Sequence, residues 1–367
     1  MKTIIFIALQ LSQPRCIKRI ETVVKAGIPI KVYGFDSGLY NERLKNLSFP
    51  VERIIRRDKT KNKFQKVWSF LHDIKSILKE NQGNNCVFYL FGYEIASIAW
   101  FLGCKSYIYE EADVTASRYK KCVVRETLLL IDRKIIKKSH LTIFTSQGFS
   151  KYLFGDRKPD HVIFLPNKLT TYFDAEKKAS VVPEKINRNH IKFGFIGLIR
   201  YPNTIIRFAK IIGRGYPQHE FHFYGEFEKM SMYDEELKSF SNVYIHGGFV
   251  NPYDLPSIYS QVDINIVCYD TNSGNVRIAE PNKLYESIFF ETPLIVSTNT
   301  FLAKRVQELG VGFDIDCSND ILIKEFIDNI DESTMNGIQS KMHSLPLELV
   351  IDDTSEFIDK CKKVVCS

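Results

Sequence analysis

Ala279-Glu280-Pro281-Asn282-Lys283-Leu284-Tyr285-Glu286-Ser287-Ile288-Phe289-Phe290-Glu291-Thr292-Pro293-Leu294-Ile295-Val296-Ser297 runs from a polar opening through a helix pattern into a short apolar strand. A proline can open a helix because its missing N–H costs nothing at the first position, and the free N–H groups of that turn favour an anion. Lys283 adds positive charge to the same turn. Glu286, one turn on, offers two acceptor oxygens, which suit a vicinal diol such as that of ribose. Taken alone, Glu286 reads equally well as an exposed helix carboxylate.

Working outward, the same strand-and-helix alternation fills the chain. Strands are expected at residues 3–9, 29–35, 87–90, 105–109, 141–145 and 161–165. Helices are expected at 15–26, 64–79, 94–102, 123–138 and after Ser146. Polar residues 173–190 break the pattern and read as a linker. It resumes with strands at 191–199, 219–224, 242–246, 264–268 and 294–297, and helices at 203–212, 255–261 and 282–290. Strands alternating with helices predict an α/β fold with mostly parallel, doubly wound sheets. At 367 residues two domains are the default. They are expected at 1–172 and 191–345, with an amphipathic helix in 346–367.

The eight cysteines include no Cys-x-x-Cys pair and no zinc-site spacing, which fits reduced thiols in cytoplasm. The apolar run at 3–11 is short and lacks a small-x-small cleavage pattern, so it reads as a first strand. Charge is uneven: 32 Lys and Arg against 17 Asp and Glu in residues 1–180, but 18 against 26 in residues 181–367. A basic half can lie against anionic lipid, nucleic acid or a phosphorylated substrate. Its densest run is Arg53, Arg56, Arg57, Lys59, Lys61, Lys63 and Lys66, followed at helical spacing by Phe64, Val67, Trp68, Leu71, Ile74 and Leu78. That stripe admits two readings: a helix packed on the sheet with its basic residues solvated, or a helix lying on an anionic membrane surface. No module or aromatic-basic repeat points to nucleic acid.

Ligands of open α/β sheets bind beyond the carboxyl ends of strands. There Gly197 lets a phosphate approach the backbone and Arg200 can grip it. Thr271-Asn272-Ser273-Gly274-Asn275 is a plain loop or an anion nest, and its place just before Pro281 favours the nest. Glu110, Glu111 and Asp113 follow a strand of the first half. Three carboxylates so close predict one raised pKa, suited to proton exchange with an acceptor hydroxyl, unless they form a solvated acidic loop. Asp314-Ile315-Asp316 has metal-binding spacing but reads as a strand end, so no metal ligands are assigned.

Pro281-Asn282-Lys283-Leu284-Tyr285-Glu286 resembles the Pro-x-Lys-x-x-Glu region of family 4-like glycosyltransferases, which have two Rossmann-like domains facing across a cleft, the GT-B fold. The resemblance is close over residues 190–315 and one of pattern alone before that. It implies transfer of a sugar, hexosyltransferase-type and with retention, from a UDP or GDP sugar to a glycan or lipid-linked acceptor, as in the biosynthesis of a surface polysaccharide such as capsule or O-antigen. No cofactor is implied, and the leaving group is expected to be stabilised without metal. The protein would be cytoplasmic, or peripheral on the inner face of a membrane. The last helix would cross back onto the first domain. Gly197, Arg200, Ser273, Gly274, Asn275, Asn282, Lys283, Leu284 and Glu286 would hold the nucleotide sugar, and Phe249 and Val250 would meet the base. The downstream Lys of the family is missing after Arg200, and Lys283 would replace it. Of the Glu-x7-Glu of retaining members only Glu286 is present. Ile278 takes the first position, which leaves Arg277 or Glu280 for the donor sugar, with Arg15 near it. Glu110, Glu111 and Asp113 would face the acceptor. A catalytically silent GT-B-like binding subunit and a nucleotide-sugar epimerase of this fold are the alternatives.

Overall fold

Short apolar runs between amphipathic helices can bury both faces only as central parallel strands, and two such sheets form. The computed structural model describes residues 1–36, 42–45, 47–56, 60, 62–83, 85–228 and 234–367, with the backbone alone at 42, 43, 63 and 234. Arg57, Lys59 and Lys61 of the basic run lie outside the described residues. The chain divides into unit 1, Met1–Pro166 with Asp353–Ser367, and unit 2, Asn167–Asp352.

Unit 1 holds β1 (Thr3–Ala8), β2 (Ile30–Asp36), β3 (Arg53–Arg56), β4 (Cys86–Phe91), β5 (Tyr107–Glu111), β6 (Leu141–Phe144) and β7 (Val162–Phe164) in the order β3-β2-β1-β4-β5-β6-β7. All pairings are parallel. The strand order reverses between β1 and β4. Ile4, Phe6, Val87, Tyr89 and Ile108 have no exposed surface. Burying each large apolar side chain contributes about 1.5–3 kcal/mol. β3 was hidden in sequence by its arginines: Arg-Ile-Ile-Arg is an edge strand whose exposed charges discourage pairing with another chain. The closing helix Ser355–Cys366 buries Phe357, Cys361 and Val365 in the core of unit 1. The Lys2 amide donates to the Val365 carbonyl at 2.8 Å.

Unit 2 holds β8 (Lys192–Ile196), β9 (Glu220–Tyr224), β10 (Val243–Gly247), β11 (Ile264–Val267), β12 (Leu294–Ser297) and β13 (Gly312–Ile315), ordered β10-β9-β8-β11-β12-β13 and again parallel. Here the reversal falls between β8 and β11. Residues 173–190, expected as a linker, belong to unit 2. Phe173 is buried between Phe289 and Phe290, the helix Ala175–Ala179 is capped by Asp174, and Lys178 Nζ lies 2.5 Å from Glu291 Oε1. One phenylalanine and one ion pair thus anchor a stretch whose composition alone reads as a tether. The incoming and outgoing chains also pair: the Leu169 amide donates to Val350 and the Asp352 amide to Leu169.

Candidate functional site

The reversal between β8 and β11 leaves a gap beyond their carboxyl ends, the place where ligands of such sheets bind. Gly197 closes β8 with φ +143°. A Cβ there would point at Lys283 Cε, 3.6 Å away, so its bare face is turned to the lysine. Gly225, after β9, has φ +138°, and a Cβ on it would fall 1.9 Å from the Gly197 carbonyl oxygen. Only a residue without a side chain permits that approach.

Lys283 opens the helix Lys283–Phe289, which connects β11 to β12. Its side chain is nearly buried, with Nζ 2.6 Å from Glu286 Oε2 and 6.0 Å from the centre of the Phe249 ring. Glu286 is 2% exposed and accepts from three donors: Lys283, Asn282 Nδ2 at 2.5 Å and the Tyr259 hydroxyl at 3.0 Å. It is therefore not an exposed helix carboxylate. Burial, and after it the Glu286 charge, push the Tyr259 phenol well above its ordinary range, so it stays a donor. Below lie Asn265 and Ser287, both without exposed surface, with Asn265 Nδ2 2.8 Å from Ser287 Oγ and 3.4 Å from the Tyr259 oxygen. Among the described residues Asn265 Oδ1 has no donor.

Tyr259, Asn265 and Ser287 were not singled out in sequence. One signal was legible: Asn265 is a polar residue inside the apolar strand Ile264-Asn265-Ile266-Val267, where it must be paired. Tyr259 offered none, since 27 residues separate it from Glu286.

The remaining expected residues of unit 2 divide. Pro281 lies before the helix rather than in it, and its carbonyl accepts from the Leu284 amide. Leu284 is buried in the core, so its side chain meets no ligand. Asn282 is turned onto Glu286. Arg200 is exposed, its guanidinium 5.4 Å from the Tyr201 ring centre. Ser273 precedes the short helix Gly274–Ile278 without a side-chain capping bond; the helix carries Gly274, Asn275 and Arg277, and Arg277 Nε donates to the Thr271 carbonyl at 2.7 Å. Glu280 is buried, receives the Tyr285 hydroxyl and lies 3.6 Å from Arg305. Burial holds its carboxyl above the usual range, against the pull of those two partners. Phe249 is half-buried beside Lys283. The Val250 amide donates to Asp254 Oδ2 at 2.7 Å and its carbonyl accepts from the Asp254 amide. Both backbone groups of Val250 thus already have a local partner in Asp254.

Unit 1 corrects the acceptor-side expectation. Glu110 has no exposed surface; Arg19 Nε lies 2.9 Å and Arg15 Nε 3.4 Å from it, and the Tyr89 hydroxyl donates to it. Arg15 thus lies in ion-pair range of Glu110 without a hydrogen bond from its Nε. Glu111 is equally buried and faces Asp132, whose Oδ1 accepts from the Tyr109 hydroxyl at 3.2 Å. Its pKa is raised well above the carboxylate range, first by burial and then by Asp132, while Asp132 is pushed up to about 6 by burial. The expected raised pKa exists, but the adjacent acids of the loop are not its main cause and no solvent-borne hydroxyl reaches it. Asp113 alone of the three is exposed.

Among the described residues no group of three His, Cys, Asp or Glu side chains is placed to hold a metal ion. No helix there is long and apolar enough to cross a membrane. The eight cysteines are unpaired as disulfides. A cavity of about 290 Å³ is lined by Tyr259, Phe173, Val262, Phe289 and Gln339, among others.

No family model matches the chain, and no curated protein does. Solved structures do. The Anabaena protein Alr3699/HepE, crystallised with UDP and glucose, matches with a TM-score of 0.70 over 100% of both chains at 12% identity. Sucrose-phosphate synthase from Thermosynechococcus elongatus matches at 0.68 over 99% of this chain and 98% of its own, also at 12% identity. A glycosyltransferase from Rickettsia africae matches at 0.65 over 99% and 98%, at 13% identity. The chain has the GT-B glycosyltransferase fold.

Proposed function

We propose that the chain is a glycosyltransferase that moves a sugar from a nucleoside diphosphate sugar to a hydroxyl of a glycan or lipid-linked acceptor. The observation that carries this is the convergence of Gly197, Lys283 and Glu286 at the strand reversal of unit 2. Without ligand, Lys283 and Glu286 satisfy each other. A donor would separate them: its diphosphate takes the ammonium against the bare backbone of Gly197, and its ribose diol takes the carboxylate, which Tyr259 and Asn282 keep in place. As the glycosidic bond breaks, charge grows on the leaving diphosphate, and Lys283, with Arg200 at the rim, offsets it. That Alr3699/HepE was crystallised with UDP and glucose, and with UDP-glucose, supports a UDP donor and a hexosyl group. Retention, a surface polysaccharide as product and a place on the inner face of a membrane complete the reading.

The test is calorimetric titration of the protein with UDP, GDP, ADP and CMP, without metal and with magnesium. Micromolar binding of one nucleoside diphosphate, lost in Lys283→Ala and weakened in Glu286→Gln, is expected. Equal affinity in wild type and both variants removes the site. A second reading, a silent binding subunit, is favoured by Ile278 at the sugar-contact position and by the burial of Glu110 and Glu111. Turnover of the bound donor by the purified chain separates the two, and mass analysis of the product separates transfer from epimerisation.

A further inference from the structure

The helix Lys63–Glu80 splits its apolar stripe. Ile74, Ile77 and Leu78 are buried, as a helix packed on a sheet requires, whereas Phe64, Val67 and Trp68 are 79%, 59% and 67% exposed. These three stand at i, i+3 and i+4 and so form one ridge on the first turns. The end of the helix that carries them contributes nothing to the core. A capping box, Asn62 with Gln65, nonetheless holds that end in regular helix.

A second exposed group repeats the arrangement. The helices Lys63–Glu80, Tyr93–Phe101 and Val123–Lys138 pack side by side on unit 1. The first follows β3 and the third follows β5, so in a parallel sheet both begin at the strands' carboxyl edge. At the start of the third, Tyr119, Val123 and Val124 are 46%, 82% and 53% exposed. Residues 60–72 and 118–125, which carry all six apolar side chains, contain seven Lys and Arg and no Asp or Glu. Lys66, Arg118, Lys120 and Lys121 are exposed there.

We propose that this edge of unit 1 docks onto an anionic membrane surface, with Phe64, Val67, Trp68, Val123 and Val124 in the headgroup and acyl boundary and the basic residues on lipid phosphates. Exposed apolar side chains set among an excess of cations are what such a surface selects, and the exposed Glu126 beside them is paired with Arg125 at 2.9 Å. A protein partner would place its own polar rim against mixed charges, whereas here cations outnumber acids and the nearby Glu126 is already held by Arg125. The proposal deepens the transferase reading by naming where a lipid-linked acceptor is met. It rests on that reading for the acceptor alone.

The experiment is co-sedimentation of the full chain with vesicles of phosphatidylcholine containing phosphatidylglycerol, and with phosphatidylcholine only. Binding to the anionic vesicles, at least tenfold weaker on the neutral ones and reduced in high salt, is expected. The triple variant Phe64→Ser, Val67→Ser, Trp68→Ser should lose at least tenfold, and Lys120→Glu with Lys121→Glu should remove most of the salt dependence. All these side chains are exposed, so folding is expected to be unaffected, and an unchanged melting temperature checks it. Trp100→Phe leaves Trp68 as the single tryptophan, and its emission should shift to the blue on anionic vesicles. Absence of binding, equal binding to both lipids, unaltered binding by the triple variant, or a stable oligomer that already shields Trp68 each overturns the proposal. Nucleoside diphosphate titration of the same samples keeps the two readings apart. Vesicle binding without nucleotide binding removes the transferase reading alone, and the converse removes this one alone.

Discussion

Both sheets reverse their strand order, yet the two reversals are furnished in opposite ways. In unit 1 the strand ends near β1, β4 and β5 are filled by the chain itself, with Arg15, Arg19 and Tyr89 on the fully buried Glu110. In unit 2 the equivalent ground holds Gly197 and Gly225, which have no side chains, beside the Lys283–Glu286 pair. A carboxylate next to a strand end is therefore no mark of function by itself. Glu286 is nearly as deeply buried as Glu110, and under the proposed function the two differ in whether their partners are exchanged for a donor.

The strongest way to break this comparison is Arg19→Ala. It leaves the Glu110 charge buried with a poorer partner, and removing one member of such a pair costs about 3–5 kcal/mol. Denaturant unfolding should show that loss in unit 1, while nucleotide affinity in unit 2 stays within twofold. An Arg19→Ala chain of wild-type stability would show that Glu110 is not held as described.

Gly225→Ala should come next. The added methyl collides with the Gly197 carbonyl, and the strained φ adds of order 1–3 kcal/mol. A lower melting temperature together with at least tenfold weaker donor binding is expected. Stability loss with unchanged binding would detach Gly197 from the site.

Glu286→Gln keeps the shape and removes the charge. A hydrogen bond to a charged group contributes about 1.5–3 kcal/mol, so calorimetry should find the donor bound roughly tenfold or more weakly. Because the Lys283 ammonium is left buried without its counter-charge, the melting temperature should fall as well. Tyr259→Phe should give a smaller loss in the same direction, since it removes one of three donors to Glu286.

The smallest effect sharpens the comparison through pH. The folded-state pKa of Glu111 is raised above its unfolded value, as is that of Asp132, to about 6. The stabilisation that goes with the protonated pair is fully present below the unfolded values and is lost as pH rises through the folded ones. Among the described residues neither Glu111 oxygen has a donor, nor has Asp132 Oδ2, and a proton held between them supplies one. Wild type should therefore lose a few degrees of melting temperature relative to Glu111→Gln as pH goes from 5 to 9. Parallel curves would mean that the pair holds no shared proton.

Much of the fold was legible because its signals are local. Strands such as Val87–Leu90 and helices such as 123–138 carry their apolar period in consecutive residues, and the helix at Lys283 was flagged by its own opening turn. Three features were not. Residues 173–190 read as a tether because nothing in their composition shows Phe173 filling a space between Phe289 and Phe290. The basic stripe admitted both a packed and a surface reading, with the packed one preferred, because period places residues on one face without saying how far along the helix the sheet extends. Glu110 read as catalytic because its partner Arg19 is 91 residues away.

By itself, the sequence determined the alternation of strands and helices, the excess of positive charge in the first half and the Lys283-x-x-Glu286 pair one helical turn apart. Each depends on neighbours within a few residues, where spacing translates directly into geometry. The tertiary structure decided which carboxylates are buried and which side chains hold them, that Tyr259 supports Glu286, and that Trp68 faces outward. Those follow from contacts between residues far apart in the chain, and burial, the quantity that sets the cost of a charge and the availability of a side chain, exists only once the sheets and helices have packed.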